Sequence, residues 1–469
     1  MPSFGAAGRA VVFHFVMIKP THYDDDGYPI QWVRSAIPSN TLACLNGLAE
    51  DARGRQVLGP GVDIRLYTYD ETNRRVRPDR IIRRLRRAGG RALIGLVGVQ
   101  SNQFPRAVDL ARPFLVAGMP VCIGGFHVSG CLAMLPSMPA EMAAAHDLGI
   151  SFFAGEAEHG RLDQVLRDAF NGCLKPLYNH MDDLPALEGE PAPFLPKKHV
   201  RRTSGSLSSI DLGRGCPYQC SLCTIINVQG RKSRYRSPED LEKIVRENHD
   251  QGIKRFFITD DNFARNRHWE RLFDRMIKLR LGEGLKIGFT IQVDTLCHKI
   301  PNFIEKAEQA GVRRVFIGLD NINPDNLIAA KKRQNKITDY RQCCRAGARM
   351  VPSPTRATSS VFPATPRKRF CATSRSSSAN CRSTSWSFSS SPRYPVPRTT
   401  RCCCKSASGW TPTSTNTTST TGSRTTEKCP TGNGRRLIEP PGTRSIRPST
   451  FARSCAVLPP IHLAGPRPL

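Results

Sequence analysis

From residue 10 to about residue 175 the chain alternates near-continuous apolar runs with stretches of helical period, and that alternation leaves few folds open. Strands are expected at Val11–Ile18, Val62–Tyr69, Ala92–Val99 and Val121–Ile123, the last running into Gly124-Gly125. Between them, helices are expected at Thr41–Glu50, Pro78–Ala88 and Arg106–Ala117. Strands that are apolar on both faces must be covered on both faces, so an α/β fold with a doubly wound parallel sheet is expected. Ligands of such a sheet bind at the carboxyl ends of its strands. Residues 176–205 read as a Pro-rich connector, with Pro185, Pro191, Pro193 and Pro196. A second series then starts, with strands at Leu207–Leu212, Arg255–Thr259, Lys286–Val293 and Arg314–Leu319, and helices at Pro238–Gln251, Trp269–Leu279 and Ile300–Ala310.

Between the first strand and first helix of that second series stands Gly215-Cys216-Pro217-Tyr218-Gln219-Cys220-Ser221-Leu222-Cys223. Cys216, Cys220 and Cys223 put three thiolates on one tight loop. A cubane iron–sulfur cluster has four irons, so three ligands leave one iron open to bind a substrate or cofactor. A structural zinc site or buried thiols are the alternatives. Zinc sites usually pair two short Cys/His clusters, and no second CxxC or HxxxH partner occurs in the chain.

Charge and cysteine usage bear on partners. The formal charge is +30 over 469 residues, but residues 351–469 hold 18 Lys and Arg against only Glu427 and Glu439. The rest of the chain is then only moderately basic, as suits an enzyme of anionic cofactors. The arginine run Arg74–Arg91 lacks interleaved aromatics and has helical spacing, so a solvated helix surface is expected rather than a nucleic-acid contact. Seventeen cysteines without a signal peptide point to a reducing cytoplasm. The apolar run Ala10–Ile18 contains His14 and leads into Lys19-Pro20-Thr21-His22-Tyr23, so a strand is expected there rather than a leader. No stretch approaches the ~20 apolar residues of a membrane span.

The cysteine spacing directly after a strand resembles the radical S-adenosylmethionine (SAM) superfamily, with one departure: Leu222 stands where an aromatic residue usually precedes the last cysteine. The resemblance implies a partial (βα) barrel over residues 206–342, a 4Fe–4S cluster on Cys216, Cys220 and Cys223, and SAM chelated by the open iron. It further implies that one electron cleaves SAM to methionine and a deoxyadenosyl radical, which abstracts hydrogen from a small-molecule substrate. A donor such as flavodoxin or ferredoxin would supply the electron. Asp260, Asp261 and Asn262 fall where the superfamily holds the SAM amino group, often with Gly-Gly-Glu; a helix N-cap is the alternative role. Gln292 and Asp294 after the third strand, and Asp320 and Asn321 after the fourth, are expected near the ribose and methionyl groups, or else are ordinary loop residues.

The N-terminal region 10–175, after an extension at 1–9, resembles the Rossmann-like cobalamin-binding domain found ahead of many radical SAM domains. Ser101 and Gln103 after the third strand, with Gly124, Gly125 and His127 after the fourth, carry that likeness. The Asp-x-His-x-x-Gly motif that supplies a histidine to cobalt is absent, so His127 is expected to orient its loop. His22 and Asp24 to Asp26 either line the top of the same site or form a solvated acidic turn. The resemblance implies a cobalamin-dependent methyltransferase, or else a radical rearrangement or cyclisation enzyme. An inactive product, or a basic nucleic-acid-binding iron–sulfur protein, is the reading of another class.

Residues 343–469 lose periodicity; 40 of the last 119 residues are Ser or Thr. They read as a tail without regular fold. Back-translation of Pro352–Phe370, with each codon's third base read together with the next codon's first two, permits a Gly-x-Ile-x-Gly string like a fifth radical SAM strand. The same shift over Cys381–Pro397 permits a sixth. A frameshift near Gln342 is therefore expected, leaving the barrel with four strands and the chain as written with little turnover.

Overall fold

The computed structural model describes residues 11–221, 223–318, 321 and 323–349. All of them belong to one compact unit, Met1–Trp410, whereas the second unit, Thr411–Leu469, lies outside the described residues. The expected irregular tail and its shifted-frame strands lie outside them from residue 350 onward, and so do Leu222 and Asp320.

The first sheet is wholly parallel and has six strands: β1 (Val11–Lys19), β2 (Val62–Asp70), β3 (Arg91–Leu96), β4 (Val121–Gly124), β5 (Ser151–Ala154) and β6 (Leu177–Asn179), in the order β2-β1-β3-β4-β5-β6. Alternate residues of β1 serve two cores. Phe13, Phe15 and Met17 face α1 (Asn40–Gly54), while Val16 and Ile18 join the core that holds Ile81 and Leu85 of α2 (Pro78–Ala88) and Phe104, Leu110 and Phe114 of α3 (Phe104–Val116). Helices α4 (Phe126–Met134), α5 (Ala140–Asp147) and α6 (Arg161–Asn171) complete the wrapping. Strands β5 and β6, four and three residues long, are too short to announce themselves by periodicity. The expected third strand stops early at Leu96, because Gly98 turns the chain with φ +64°.

After α7 (Lys197–Val200) the second sheet begins. Strands β7 (Leu207–Ile210), β10 (Arg255–Ile258), β11 (Gly288–Val293) and β12 (Val312–Ile317) pair in parallel in chain order. A two-stranded antiparallel pair, β8 (Gly213–Arg214) and β9 (Arg234–Tyr235), brackets the cysteine loop and the short α8 (Ile225–Val228) inside it. Strand β7 ends two residues before the expected Leu212, because the Asp260 carboxylate takes the N–H groups of Leu212 and Gly213, both at 2.8 Å. Helix α9 (Pro238–Asp250) starts with a capping box: Asp240 N–H donates to Ser237 Oγ at 3.1 Å, and Ser237 N–H donates to Asp240 Oδ2 at 2.9 Å. Helices α10 (Trp269–Ile277), α11 (Phe303–Gln309), α12 (Pro324–Ala329) and α13 (Ile337–Arg349) follow, and the expected boundary at residue 342 falls inside α13.

The Pro-rich connector is a strap. Leu187, Leu195 and Val200 are buried in it, and Phe194 N–H donates to Ala43 O of α1 at 3.0 Å. Asn46 Nδ2 returns a bond to Phe194 O at 2.9 Å. A Cβ on Gly47 would stand 2.0 Å from Ala192 O, so only glycine lets the strap lie this close. One apolar core consequently runs from Phe13 and Leu48 through Leu195 to Ile210 and Leu241. Among the described residues, no helix is long and apolar enough to cross a membrane.

Candidate metal centre and its surroundings

The cysteine loop leaves the carboxyl end of β7 and lies over the carboxyl ends of β10 and β11. Cys220 is buried, whereas Cys216 and Cys223 are half-buried. The loop is closed by its own backbone: Cys216 N–H donates to Gly230 O at 3.2 Å and Cys223 N–H to Cys220 O at 3.1 Å. Burial, with smaller contributions from Asp261 and the neighbouring thiols, pushes Cys216 up to about 11 and also raises Cys223. A bound metal would draw those protons off. Among the described residues, no three His, Cys, Asp or Glu side chains converge on one ion position. Thiolates that each serve a different iron of one cubane do not converge in that way. The donor set suits a three-cysteine cluster, and Gln334 Nε2 already donates to Cys220 Sγ at 3.4 Å.

Tyr218, in the middle of the loop, is tied to the barrel. Its hydroxyl donates to Asp294 Oδ2 at 2.9 Å, and the same carboxylate accepts from Asn262 Nδ2 at 2.9 Å and Arg265 Nε at 2.6 Å. Burial alone would raise Asp294, but the Arg265 guanidinium and these hydrogen bonds outweigh it and hold the carboxyl below the usual range. Asn262 has both ends occupied, since its Oδ1 accepts from Asp294 N–H at 3.2 Å.

The expected site residues therefore divide. Asp260 is 3% exposed and braces the cysteine loop's approach, with Asn266 Nδ2 donating to its Oδ2 at 3.2 Å. Asp261 has surface open to solvent but a carboxyl set among protein atoms, so that burial pushes it up to about 7 against the pull of Arg214; it has no hydrogen bond among the described residues and acts on both Cys216 and Cys223. Gln292 donates its amide N–H to Thr259 O and Asp260 O at 3.5 and 3.3 Å, and its carbonyl takes no hydrogen bond among the described residues. Asn321 is buried, and its Oδ1 takes the N–H of Asn323 at 2.8 Å at the entry to α12. Asp320 lies outside the described residues.

On the first sheet the strand order reverses between β1 and β3, which is where such sheets bind ligands. Next to that point, between the loops after β3 and β4, Gly125 has φ +143°, and a Cβ on it would stand 2.3 Å from Val99 N. Val99 N–H donates to Gly124 O at 3.0 Å, and His127 N–H to Val99 O at 2.9 Å, so the β3 and β4 loops are stitched together. His127 is 2% exposed, its Nδ1 lies 3.2 Å from Ser101 Oγ, and burial lowers it to about 4. Gln103 turns back on its own loop, its Oε1 accepting from Gln100 N–H at 3.1 Å. Among the described residues, two polar atoms on this edge, His127 Nε2 and Asn102 Oδ1, are buried without a partner. Orphans of this kind fit a ligand-lined crevice. Asp24 to Asp26 form an exposed turn, with Asp24 Oδ1 accepting from Tyr28 N–H at 2.7 Å. The arginines at 80, 83, 84, 86 and 87 on α2 are exposed, as a solvated face would be.

A buried charge network joins the two sheets at the foot of the cysteine loop. Arg214 donates to Glu156 Oε2 at 2.7 Å, to Glu158 Oε1 at 2.6 Å and to Asp211 Oδ2 at 2.6 Å. Arg234 adds a second pair to Glu156, and Arg236, 1% exposed, reaches Asp211 Oδ1 at 3.3 Å. Three guanidinium and three carboxylate groups thus balance. Burial would raise Glu158, but Arg214 outweighs it and lowers the carboxyl. Sequence reasoning passed over this network, and also Asn102, Arg265 and Gln334. The signal available was the acidic string Gly155-Glu156-Ala157-Glu158 at a strand end.

Residues 210–363 match the family model of the Radical SAM superfamily. The chain is 29% identical over 230 residues to a bacteriochlorophyllide d C-12(1)-methyltransferase of Chlorobaculum tepidum, a match covering 48% of this chain and 46% of the relative. It is 28% identical over 253 residues to a bacteriochlorophyllide d C-8(2)-methyltransferase of the same organism, covering 50% and 52%. The match thus spans about half the length of these relatives. The radical S-adenosylmethionine methyltransferase TsrM of Kitasatospora setae shares the fold, with a TM-score of 0.53 at 17% identity over 78% of this chain and 71% of that one.

Proposed function

We propose that this chain, a radical SAM enzyme by its 210–363 domain, works with cobalamin on the first sheet and methylates an unreactive centre of a small molecule. One observation carries the reading: the end of the cysteine loop is seated on α4, the helix that follows β4 of the first sheet. Helix α8 begins two residues after Cys223, and the Thr224 methyl group would stand 3.3 Å from a Cβ on Gly130 of α4. The methyltransferase names of the two bacteriochlorophyllide relatives support transfer of a methyl group.

Cys216, Cys220 and Cys223 would hold three irons of the cluster. When bound, the cluster and cobalamin supply, respectively, an electron for SAM cleavage and a carrier for the methyl group. Asp261, the unpartnered carboxylate beside the cysteines, would accept from the SAM ammonium. The Gln292 carbonyl offers a second acceptor on the same face, and Asn262 holds Asp294 in place for Tyr218 and Arg265. Asp260 keeps the start of the loop in register. On the first sheet, Ser101, Asn102 and His127 would line the crevice, Gln103 would shape its wall, and Gly124-Gly125 would bring backbone close to it. A flavodoxin- or ferredoxin-like donor in the cytoplasm would deliver the electron.

Anaerobic reconstitution of the chain with its reading frame restored after codon 342 tests this, since the chain as written is expected to turn over little. About four irons per chain are expected, together with bound cobalamin and conversion of SAM to S-adenosylhomocysteine and 5′-deoxyadenosine. Deoxyadenosine without S-adenosylhomocysteine would favour rearrangement over methylation. A full complement of cluster with no SAM consumption would overturn both.

A further inference from the structure

Gln334 lies 114 residues along the chain from Cys220, yet its side-chain amide is aimed at that sulfur, with Nε2 3.4 Å from Sγ. Cys220 is the most buried of the three loop cysteines, and a hydrogen bond counts for more away from water. The segment that presents Gln334 is anchored on three sides. Ser221 N–H donates to Ala330 O at 3.1 Å, Thr295 Oγ1 to Gln334 O at 3.3 Å, and Asn335 Nδ2 to Gly318 O at 2.7 Å. The donor is therefore held by the carboxyl ends of β11 and β12 and by the cysteine loop itself.

We propose that Gln334 sets the reduction potential of the cluster through this N–H to sulfur bond, as a positioning and tuning residue rather than a catalytic one. The proposal rests on the reading that the three cysteines hold the cluster. One electron added to the cluster increases the negative charge on its sulfurs, and an N–H donor stabilises that charge. Potentials of such clusters depend on hydrogen bonds to the sulfurs. The step is electron uptake alone: dithionite supplies the electron in the test, no bond breaks and no proton moves.

The test is a spectroscopic potential titration of the reconstituted full chain, comparing wild type, Gln334→Met and Arg333→Met. Gln334→Met keeps the side-chain length and removes the donor. The ratio of reduced to oxidised cluster at a fixed potential is expected to fall about tenfold, a shift of ~59 mV for one electron. Arg333→Met removes a full charge from the exposed residue next to Gln334 and is expected to shift the ratio less. An unchanged ratio in Gln334→Met at full iron content, or an equal shift in Arg333→Met, would overturn the proposal. If Gln334→Met loses its cluster, the wild type decides. With 15N in glutamine side-chain amides alone, pulsed EPR of the reduced cluster must show a 15N coupling, and its absence rejects the bond. Failure of the wild type to take up any cluster would instead defeat the functional reading beneath it.

Discussion

The Tyr218 hydroxyl donates to Asp294 Oδ2 at 2.9 Å, so a residue between two loop cysteines is pinned to the end of β11. Tyr218→Phe removes one bond to a charged acceptor and is expected to cost about 1.5–3 kcal/mol in denaturant unfolding. Asp294→Asn also strips Arg265 of its counter-charge and is expected to cost more, about 3–5 kcal/mol, with iron content falling in parallel. Because the Asp294 carboxyl is lowered on folding, its stabilisation is present above the ordinary carboxylate range and is lost as pH falls through the folded value. Acid unfolding of wild type should therefore show a steeper low-pH limb than that of Asp294→Asn.

Asp260 titrates the other way. Burial pushes it up to about 7, against the pull of Asn266 and the two backbone donors. The folded chain then binds a proton that the unfolded chain has released, so this contribution is present below about 4 and is lost as pH rises to about 7. Unfolding free energy measured from pH 4 to 8 should decline less in Asp260→Asn than in wild type. Asp260→Ala should be worse at every pH, because two buried N–H groups lose their acceptor, each costing about 1–3 kcal/mol.

Arg214→Met leaves Glu156, Glu158 and Asp211 without the cation they share. A loss of about 3–5 kcal/mol is expected, read as a lower melting temperature of the apoprotein. Arg214→Lys should recover only part, since a single ammonium cannot span three carboxylates held by a fork. Full recovery by lysine would show that charge alone matters.

Gly125→Ala forces a Cβ to within 2.3 Å of Val99 N at φ +143°. Backbone strain of about 1–3 kcal/mol adds to displacement of the β3 loop, so the variant should lose bound cobalamin. Gly124→Ala meets Phe153 O only at 3.3 Å, with ordinary φ, and should be tolerated better. Cobalamin retention on gel filtration separates the two.

For the coding sequence, an inserted or deleted base is expected shortly after codon 342, and resequencing checks it. Helix α13 carries helical structure to Arg349 and the shifted-frame strand begins at codon 352, so the stretch to read runs from 342 to 352. An uninterrupted frame with the same bases would refute the shift.

Much of the first sheet was legible because its buried strands advertise themselves by continuous apolar runs, as in Val11–Lys19. What escaped was short or bought by distant partners. β5 and β6 have too few residues to show a period, and β7 stops early only because a carboxylate 48 residues on takes its N–H group. The proposed cluster loop stands out by its cysteine spacing alone. The roles of Asp260 and Asn262 were not, because an acid or amide at a strand end reads the same whether it faces a ligand or braces a loop. Gln334 was invisible for a related reason: nothing local to it announces a sulfur 114 residues away.

The strap between the sheets bears on how such a chain can change over generations. Its Phe194 and Ala192 are fitted to α1, and Arg236, just after β9, holds Leu187 and Glu190 through their carbonyls at 3.3 and 2.8 Å. A recombination crossover inside 176–205 would join a strap to a helix or an arginine that never met it. The two halves are thus transmitted as one heritable piece, and new specificity has to arise in loops at the strand ends rather than by exchanging either half.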